Sequence, residues 1–432
     1  MKLTQYNDKN VDALKRLLMG SNPLSKILNF FINIFWTMFK GIKKALGKDK
    51  IEQVIKEEKI VEASLFKLSD FYNFSYDNNK ETIIFLDLKA EGNDSSGALD
   101  YAKKKIEKLE KEYQIIRLSY KRFTSQFYLV SKGSEIYVDD LSLLFKNNKV
   151  VKLCINNLVF NTDAETLIEN IVKLKKEYEF VIEYVFHDYL SLCPSYFLIT
   201  KEGNPCDMND CKECLYNNPY RTIVTNDIEE YRNRFRRLFE VTDEFIFFSN
   251  FSYKMVTKVY PDIMDRSKII PHKPLLSNNC SKYIKPEDDG VITIGFVGFF
   301  HHIKGSDLFI ETINILKEEG LNVKPVVIGY KEEDTYKDLD YKFTGRYERD
   351  DLGKLLTENK VDLVIYPSLN SETYSYIVQE LMLLSVPVVV LRRGAPAERI
   401  ENQYKLGMIA EEISAESLSL SVKKLLEESR NA

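Results

Sequence analysis

Two glutamates, Glu372 and Glu380, stand eight residues apart in the segment Pro-Ser-Leu-Asn-Ser-Glu-Thr-Tyr-Ser-Tyr-Ile-Val-Gln-Glu-Leu-Met, which fills positions 367–382. The apolar run before it, 361–366, reads as a buried strand, and the residues from about 373 onward read as a helix. One carboxylate then sits at the helix mouth and the other about two turns inside. At about 3.6 residues per turn, eight residues return to nearly the same face. The first turn, at Tyr374 and Ser375, offers free backbone N–H groups and the positive end of the helix dipole, which suits a diphosphate. Acidic side chains beside it suit the hydroxyls of a sugar.

Other segments offer matching chemistry. Gly298-Phe-Phe-His-His-Ile-Lys304-Gly305 follows a strand expected at 291–297 and precedes a helix expected at 306–319. Loops leaving the C-terminal ends of parallel strands are where ligands bind in such sheets. Lys304 is a cation for a departing diphosphate, and Gly305 permits close backbone approach. His187, followed by Asp188, ends a strand expected at 179–186. Gly97 closes a polar loop, 92–97, between the strand expected at 82–88 and a long helix. Gly345 and Arg346 follow a strand expected at 341–344.

The spaced glutamates, the Lys304-Gly305 loop, Ser385-Val-Pro-Val-Val-Val and Gly394-Ala-Pro-Ala-Glu398-Arg-Ile together resemble the retaining glycosyltransferases of family 4, of the bacterial surface-polysaccharide type. The resemblance runs over about 82–425. It implies the GT-B architecture: an α/β fold of two Rossmann-like, doubly wound domains facing a cleft, with the donor held mainly by the second. The implied reaction moves a sugar from a UDP- or GDP-sugar, with retention, to a glycan or lipid-linked glycan. By this resemblance Lys304 contacts the diphosphate, helped by the backbone amides of Tyr374 and Ser375. Glu372 binds sugar hydroxyls, Glu380 the ribose, and His187 orients the sugar. Gly97, Gly298 and Gly305 border the phosphates, and the Gly345-Arg346 loop borders the base. No protein nucleophile and no catalytic metal are expected, so the carboxylates are not a glycosidase pair.

Two positions depart from the family. Phe299 stands where an arginine usually precedes the lysine by five residues, and Ser385 stands where a glycine is usual. They keep open a catalytically degenerate subunit that acts as a binding or scaffold protein. A nucleotide-sugar enzyme of similar fold, such as an epimerase, is a third reading. His301 and His302 are the nearest replacements for the missing cation.

Four of the six cysteines cluster: Cys193, Cys206, Cys211 and Cys214. The last two form a Cys-x-x-Cys knuckle, and the four match the ligand set of a structural zinc site; reduced structural thiols and disulfides are the alternatives.

With 432 residues the chain is too long for one typical core, and 44% hydrophobic content supports a folded protein. A formal net charge of −4 gives no nucleic-acid footprint. The expected organisation is an N-terminal helical extension at 1–80, an acceptor-side domain at 81–276 with a cysteine-bearing insertion at 193–214, a linker at 277–290, and a donor-side domain at 291–432. No secretory signal is evident in the first twenty residues. Residues 22–48 carry an aromatic-rich apolar run followed by Lys40, Lys43, Lys44 and Lys48. Too short and too polar to span a bilayer, this run fits a helix lying in the membrane interface. A cytoplasmic protein, peripheral on the inner face of the cell membrane, is the expected setting.

Overall fold

The computed structural model describes residues 80–431, apart from 88–95, 122–125, 160–163, 210, 224, 226 and 333–334. The interfacial segment at 22–48 and most of the glycine-bearing loop at 92–97 therefore lie outside the described residues. The chain divides into two compact units. The first runs to Val185 and adds Tyr189–Tyr196 and Asp210–Phe245; the second comprises Phe186–Asp188, Phe197–Asn209 and Ile246–Ala432.

Eight strands form the first sheet: β1 (Thr82–Leu86), β2 (Gln114–Lys121), β3 (Gln126–Ser131), β4 (Ser134–Val138), β5 (Val150–Ile155), β6 (Val181–Val185), β7 (Glu244–Phe247) and β8 (Ser267–Ile269), in the order β4-β3-β2-β1-β5-β6-β7-β8. β1 pairs parallel with β2 and β5, and β5 parallel with β6. At the edge of this sheet β3 pairs antiparallel with both β2 and β4. The cause is local. Lys132 and Gly133 both take positive φ, 47° and 79°, the backbone of a two-residue hairpin turn, which can only join antiparallel neighbours. Gly97 opens the helix Gly97–Leu109, whose N-cap Ser96 accepts the Leu99 N–H at 3.2 Å.

The second sheet holds β9 (Ile292–Phe299), β10 (Val323–Tyr330), β11 (Lys342–Phe343), β12 (Leu363–Tyr366), β13 (Val388–Leu391) and β14 (Gly407–Ala410), all parallel, in the order β11-β10-β9-β12-β13-β14. Every residue of β12 and β13 is buried, which is why these strands read as unbroken Val/Ile/Leu runs rather than as alternating ones. Val364, Val388 and Val390 pack with Leu352, Leu356, Val378 and Leu381 into one core cluster. Residues 277–290 carry no helix or strand. Tyr283 of this segment donates its hydroxyl to the Val361 carbonyl at 2.7 Å.

One helix boundary matters for function. The helix after β12 was expected from about 373, yet it spans Tyr376–Leu383. Its N-cap, Ser375, has φ 69° and ψ 98°, outside any helical geometry. Glu372 therefore lies before the helix, and the shared-face argument for the two glutamates does not hold.

Candidate functional site

Glu372 occupies the turn between β12 and the helix Tyr376–Leu383, and three donors converge on its Oε1. Lys304 Nζ stands at 2.7 Å, the Tyr366 hydroxyl at 2.6 Å and the Ser368 hydroxyl at 3.1 Å. Burial pushes this carboxyl up. The Lys304 ammonium and the hydroxyls of Tyr366 and Ser375 outweigh that effect and hold it below the usual carboxylate range. The Tyr366 hydroxyl, wholly buried beside that charge, is driven well above its ordinary value. Glu372 is thus a fixed anion, and Lys304 is oriented by it.

The loop carrying Lys304 is clamped to the loop carrying Glu372. The Ile303 carbonyl accepts N–H groups from Leu369 at 3.0 Å and Asn370 at 3.2 Å. Gly305 has φ 84°, and a Cβ there would lie 1.9 Å from the Pro367 carbonyl oxygen, so only glycine fits. Gly394 (φ 67°) approaches Glu372 in the same way, and the Ala395 N–H donates to the Glu372 carbonyl at 2.9 Å. At Gly298 (φ 108°) a Cβ would meet Ile377 at 2.9 Å. The Gly345 N–H donates to the Gly329 carbonyl at 2.9 Å, fixing the turn after β11.

Ser375 caps the helix Tyr376–Leu383, its hydroxyl accepting the Val378 N–H at 3.4 Å. Glu380, one turn in, is buried and faces Arg349, whose Nε lies 3.3 Å from its Oε1. Arg349 also lies over the Tyr376 ring at 5.2 Å. Both spaced glutamates are therefore ion-paired, each to a cation from another segment of chain.

His187 joins this site through an aromatic cluster that the sequence did not reveal. Its ring lies 4.9 Å from Phe248 and 5.6 Å from His272, and its backbone carbonyl accepts the Thr373 hydroxyl at 3.1 Å. His272 stacks on Phe248 at 3.6 Å and contacts Tyr374 at 4.6 Å and Tyr376 at 4.9 Å. The Tyr374 hydroxyl donates to the His272 carbonyl at 2.8 Å. Burial, then the charge of Arg399, lowers the His272 pKa to about 3, so its imidazole is neutral at physiological pH. The only sequence signal at 272 was a histidine between two prolines.

Phe299, at the position of the family's arginine, ends β9 in a stack. Its ring lies 5.0 Å from Tyr330 and 5.1 Å from His301, and the Arg346 guanidinium lies over the Tyr330 ring at 3.7 Å. Burial lowers the pKa of His301, whose Nδ1 accepts the Ile303 N–H at 3.2 Å. His302 is held between Asp307 at 2.5 Å and the Gly203 carbonyl at 3.1 Å. Both rings are thus already engaged by groups of the protein itself.

The zinc reading is not supported. Among the described residues no group of three or more His, Cys, Asp or Glu side chains could hold a metal ion, and none of the four clustered cysteines forms a disulfide. Local donors occupy two of the sulfurs: Cys206 Sγ accepts the Met208 N–H at 3.2 Å, and Cys214 Sγ accepts from Asn218 at 3.3 Å. Cys211 and Cys214 share the short helix Cys211–Asn217 instead of a knuckle turn. Among the described residues, no helix is long and apolar enough to cross a membrane.

Residues 291–428 match the sequence profile of the family described as Glycosyl transferases group 1. That span holds the whole second sheet, Lys304, both spaced glutamates and the Gly345-Arg346 turn. No curated protein matches the chain. Among solved structures it is similar to Anabaena HepE in complex with UDP, at 14% identity over 81% of this chain and 90% of that one, with a TM-score of 0.51. It is also similar to WaaG, a glycosyltransferase involved in lipopolysaccharide biosynthesis, at 16% identity over 81% and 91% of the two chains, with a TM-score of 0.50. The likeness shows the fold: two α/β domains with parallel sheets, as in GT-B glycosyltransferases.

Proposed function

We propose that this protein is a retaining glycosyltransferase that moves a sugar from a nucleotide sugar to a glycan or lipid-linked glycan during surface-polysaccharide synthesis. The observation that carries the reading is the clamp at the C-terminal ends of β9 and β12. A lysine and a buried carboxylate are fixed there beside the mouth of a helix whose preceding residues, 373–375, are not helical. The positive end of the helix dipole at such a mouth, together with an adjacent ammonium, suits the charge that develops on a departing diphosphate. Support for a uridine nucleotide comes from HepE, which was solved with UDP.

In this reading Lys304 meets the diphosphate, with the backbone of Tyr374 and Ser375. Glu372 accepts sugar hydroxyls and Glu380 the ribose, while His187, backed by the His272 stack, orients the sugar. The anomeric C–O bond to the diphosphate breaks as the acceptor oxygen bonds to the same face. The acceptor proton leaves with the departing phosphate oxygen. Neither glutamate is offered as a nucleophile, since each is committed to a cation. Gly97 and its loop are assigned to the phosphate and acceptor side by the family resemblance alone. The expected location is the inner membrane face, with residues 22–48 as the interfacial anchor. Their lysines would favour anionic lipid by about 1 kcal/mol each. Removing residues 1–50 is expected to abolish co-sedimentation with anionic vesicles while leaving the melting temperature of the remainder in place; a truncated protein that still pellets would refute the anchor.

A second reading, a degenerate binding subunit, is favoured by one observation: Phe299 and its stack occupy the place of the arginine. Incubating the protein with UDP- and GDP-sugars and an acceptor extract separates the two. Nucleoside diphosphate release with an axial or equatorial linkage matching the donor supports the retaining transferase; no turnover with any donor favours the subunit.

A further inference from the structure

Positive charge is scarce around the helix mouth. A nucleotide sugar brings a diphosphate of about two negative charges, and the cations around this site are largely committed. Lys304 stands on Glu372 and Arg349 on Glu380. Position 299 is aromatic, His301 is pushed toward the neutral form by burial, and His302 is held by Asp307 and Gly203.

Arg399 is differently placed. It lies on the helix Gly394–Gln403, whose first residue packs against the Glu372 backbone. Its guanidinium is 4.5 Å from the Tyr374 ring centroid and hydrogen-bonds the Tyr374 side chain. Among the described residues it has no carboxylate within ion-pairing distance, and its Nη1 is buried without a hydrogen-bond partner. The adjacent carboxylate, Glu398, is used elsewhere: it accepts the N–H groups of Asn250 at 3.0 Å and Phe251 at 2.7 Å. Burial lowers the Arg399 pKa, and the Tyr374 side chain and the charge of Glu398, itself spent on Asn250 and Phe251, offset that only in part. A buried guanidinium donor with no acceptor is the exception in folded proteins, and a bound anion would satisfy it.

We propose that Arg399 is a donor-binding residue that takes a diphosphate oxygen through Nη1, supplying from the helix Gly394–Gln403 the cation that is absent at position 299. The inference rests on the reading of this site as a nucleotide-sugar site. It explains how the position usually held by arginine can carry Phe299 while the site keeps a net positive charge.

Calorimetric titration of the full chain with UDP, GDP and ADP, and with the matching nucleosides, tests it. Arg399→Gln is expected to weaken nucleoside diphosphate binding by about 10-fold to 100-fold, the range for a lost charged hydrogen bond, with nucleoside binding unchanged. Arg399→Lys is expected to recover part of the loss, and far-UV circular dichroism of each variant checks folding. Equal weakening of diphosphate and nucleoside, or no weakening, would overturn the role of Arg399 while leaving the donor site standing. A wild-type protein that binds none of the three diphosphates would overturn the donor site itself, and this inference with it.

Discussion

Lys304 Nζ lies 2.7 Å from Glu372 Oε1, so the cation assigned to the diphosphate is held by the carboxylate assigned to the sugar. Under the proposed function, the pair positions the lysine before a donor arrives, at the cost of competing for it. Replacing Glu372 by Gln removes the competitor and keeps an oxygen for the Tyr366 and Ser368 hydroxyls. The expected result is a stability loss of roughly 1–3 kcal/mol from the weakened buried network. Nucleoside diphosphate binding should be at least as tight as in the wild type, and sugar transfer should be lost. Thermal melts and calorimetry with UDP report the first two, and product analysis reports the third.

Gly305 is a second sensitive point. An Ala side chain there would meet the Pro367 carbonyl oxygen at 1.9 Å, and φ 84° is itself unfavourable for Ala. Gly305→Ala should cost more than about 2 kcal/mol and displace Lys304. A melting temperature within a degree of the wild type would show that the two loops are not clamped as described.

The buried imidazole of His272 gives a pH signature. Its folded pKa of about 3 lies below its ordinary value of 6.5, so the unfolded chain binds the extra proton between those limits. Its share of stability is complete above about pH 6.5 and is lost as pH falls toward 3. The groups that face it are Arg399, Tyr374, Tyr376 and His187, with Arg349 beyond Tyr376. His272→Phe keeps an aromatic ring in the cluster and removes the titration. Denaturant melts from pH 7 to pH 4 should therefore fall less steeply for the variant than for the wild type, and parallel curves would contradict the assignment.

The strands of the second sheet were legible because burial on both faces leaves runs of branched apolar residues, as in β12 and β13. The Lys304-Gly305 loop was legible because it leaves the C-terminal end of such a strand. The helix start was not: Ser375 takes a positive φ that a non-glycine residue rarely adopts, and nothing in Glu-Thr-Tyr-Ser announces it. The role of Phe299 was hidden because its stacking partner Tyr330 comes from the next strand, 31 residues on. His272 was hidden because its ring partners converge from three separate segments of chain. The cysteines misled because spacing alone cannot show that Cys211 and Cys214 lie on a short helix and that backbone and amide donors reach the sulfurs of Cys206 and Cys214.

The central claim, that the mouth of the helix Tyr376–Leu383 holds a nucleoside diphosphate with the help of Lys304, is tested most directly by thermal stability. The wild type, Lys304→Ala and Glu380→Ala would be melted against UDP, GDP, ADP, CMP and dTDP sugars. A ligand at about 100 times its Kd stabilises by about 2.7 kcal/mol, a shift of several degrees for a protein of this size. The account predicts a raised melting temperature with one nucleotide class for the wild type, absent or much reduced in both variants. A shift that survives in both variants, or no shift with any nucleotide sugar, would contradict it.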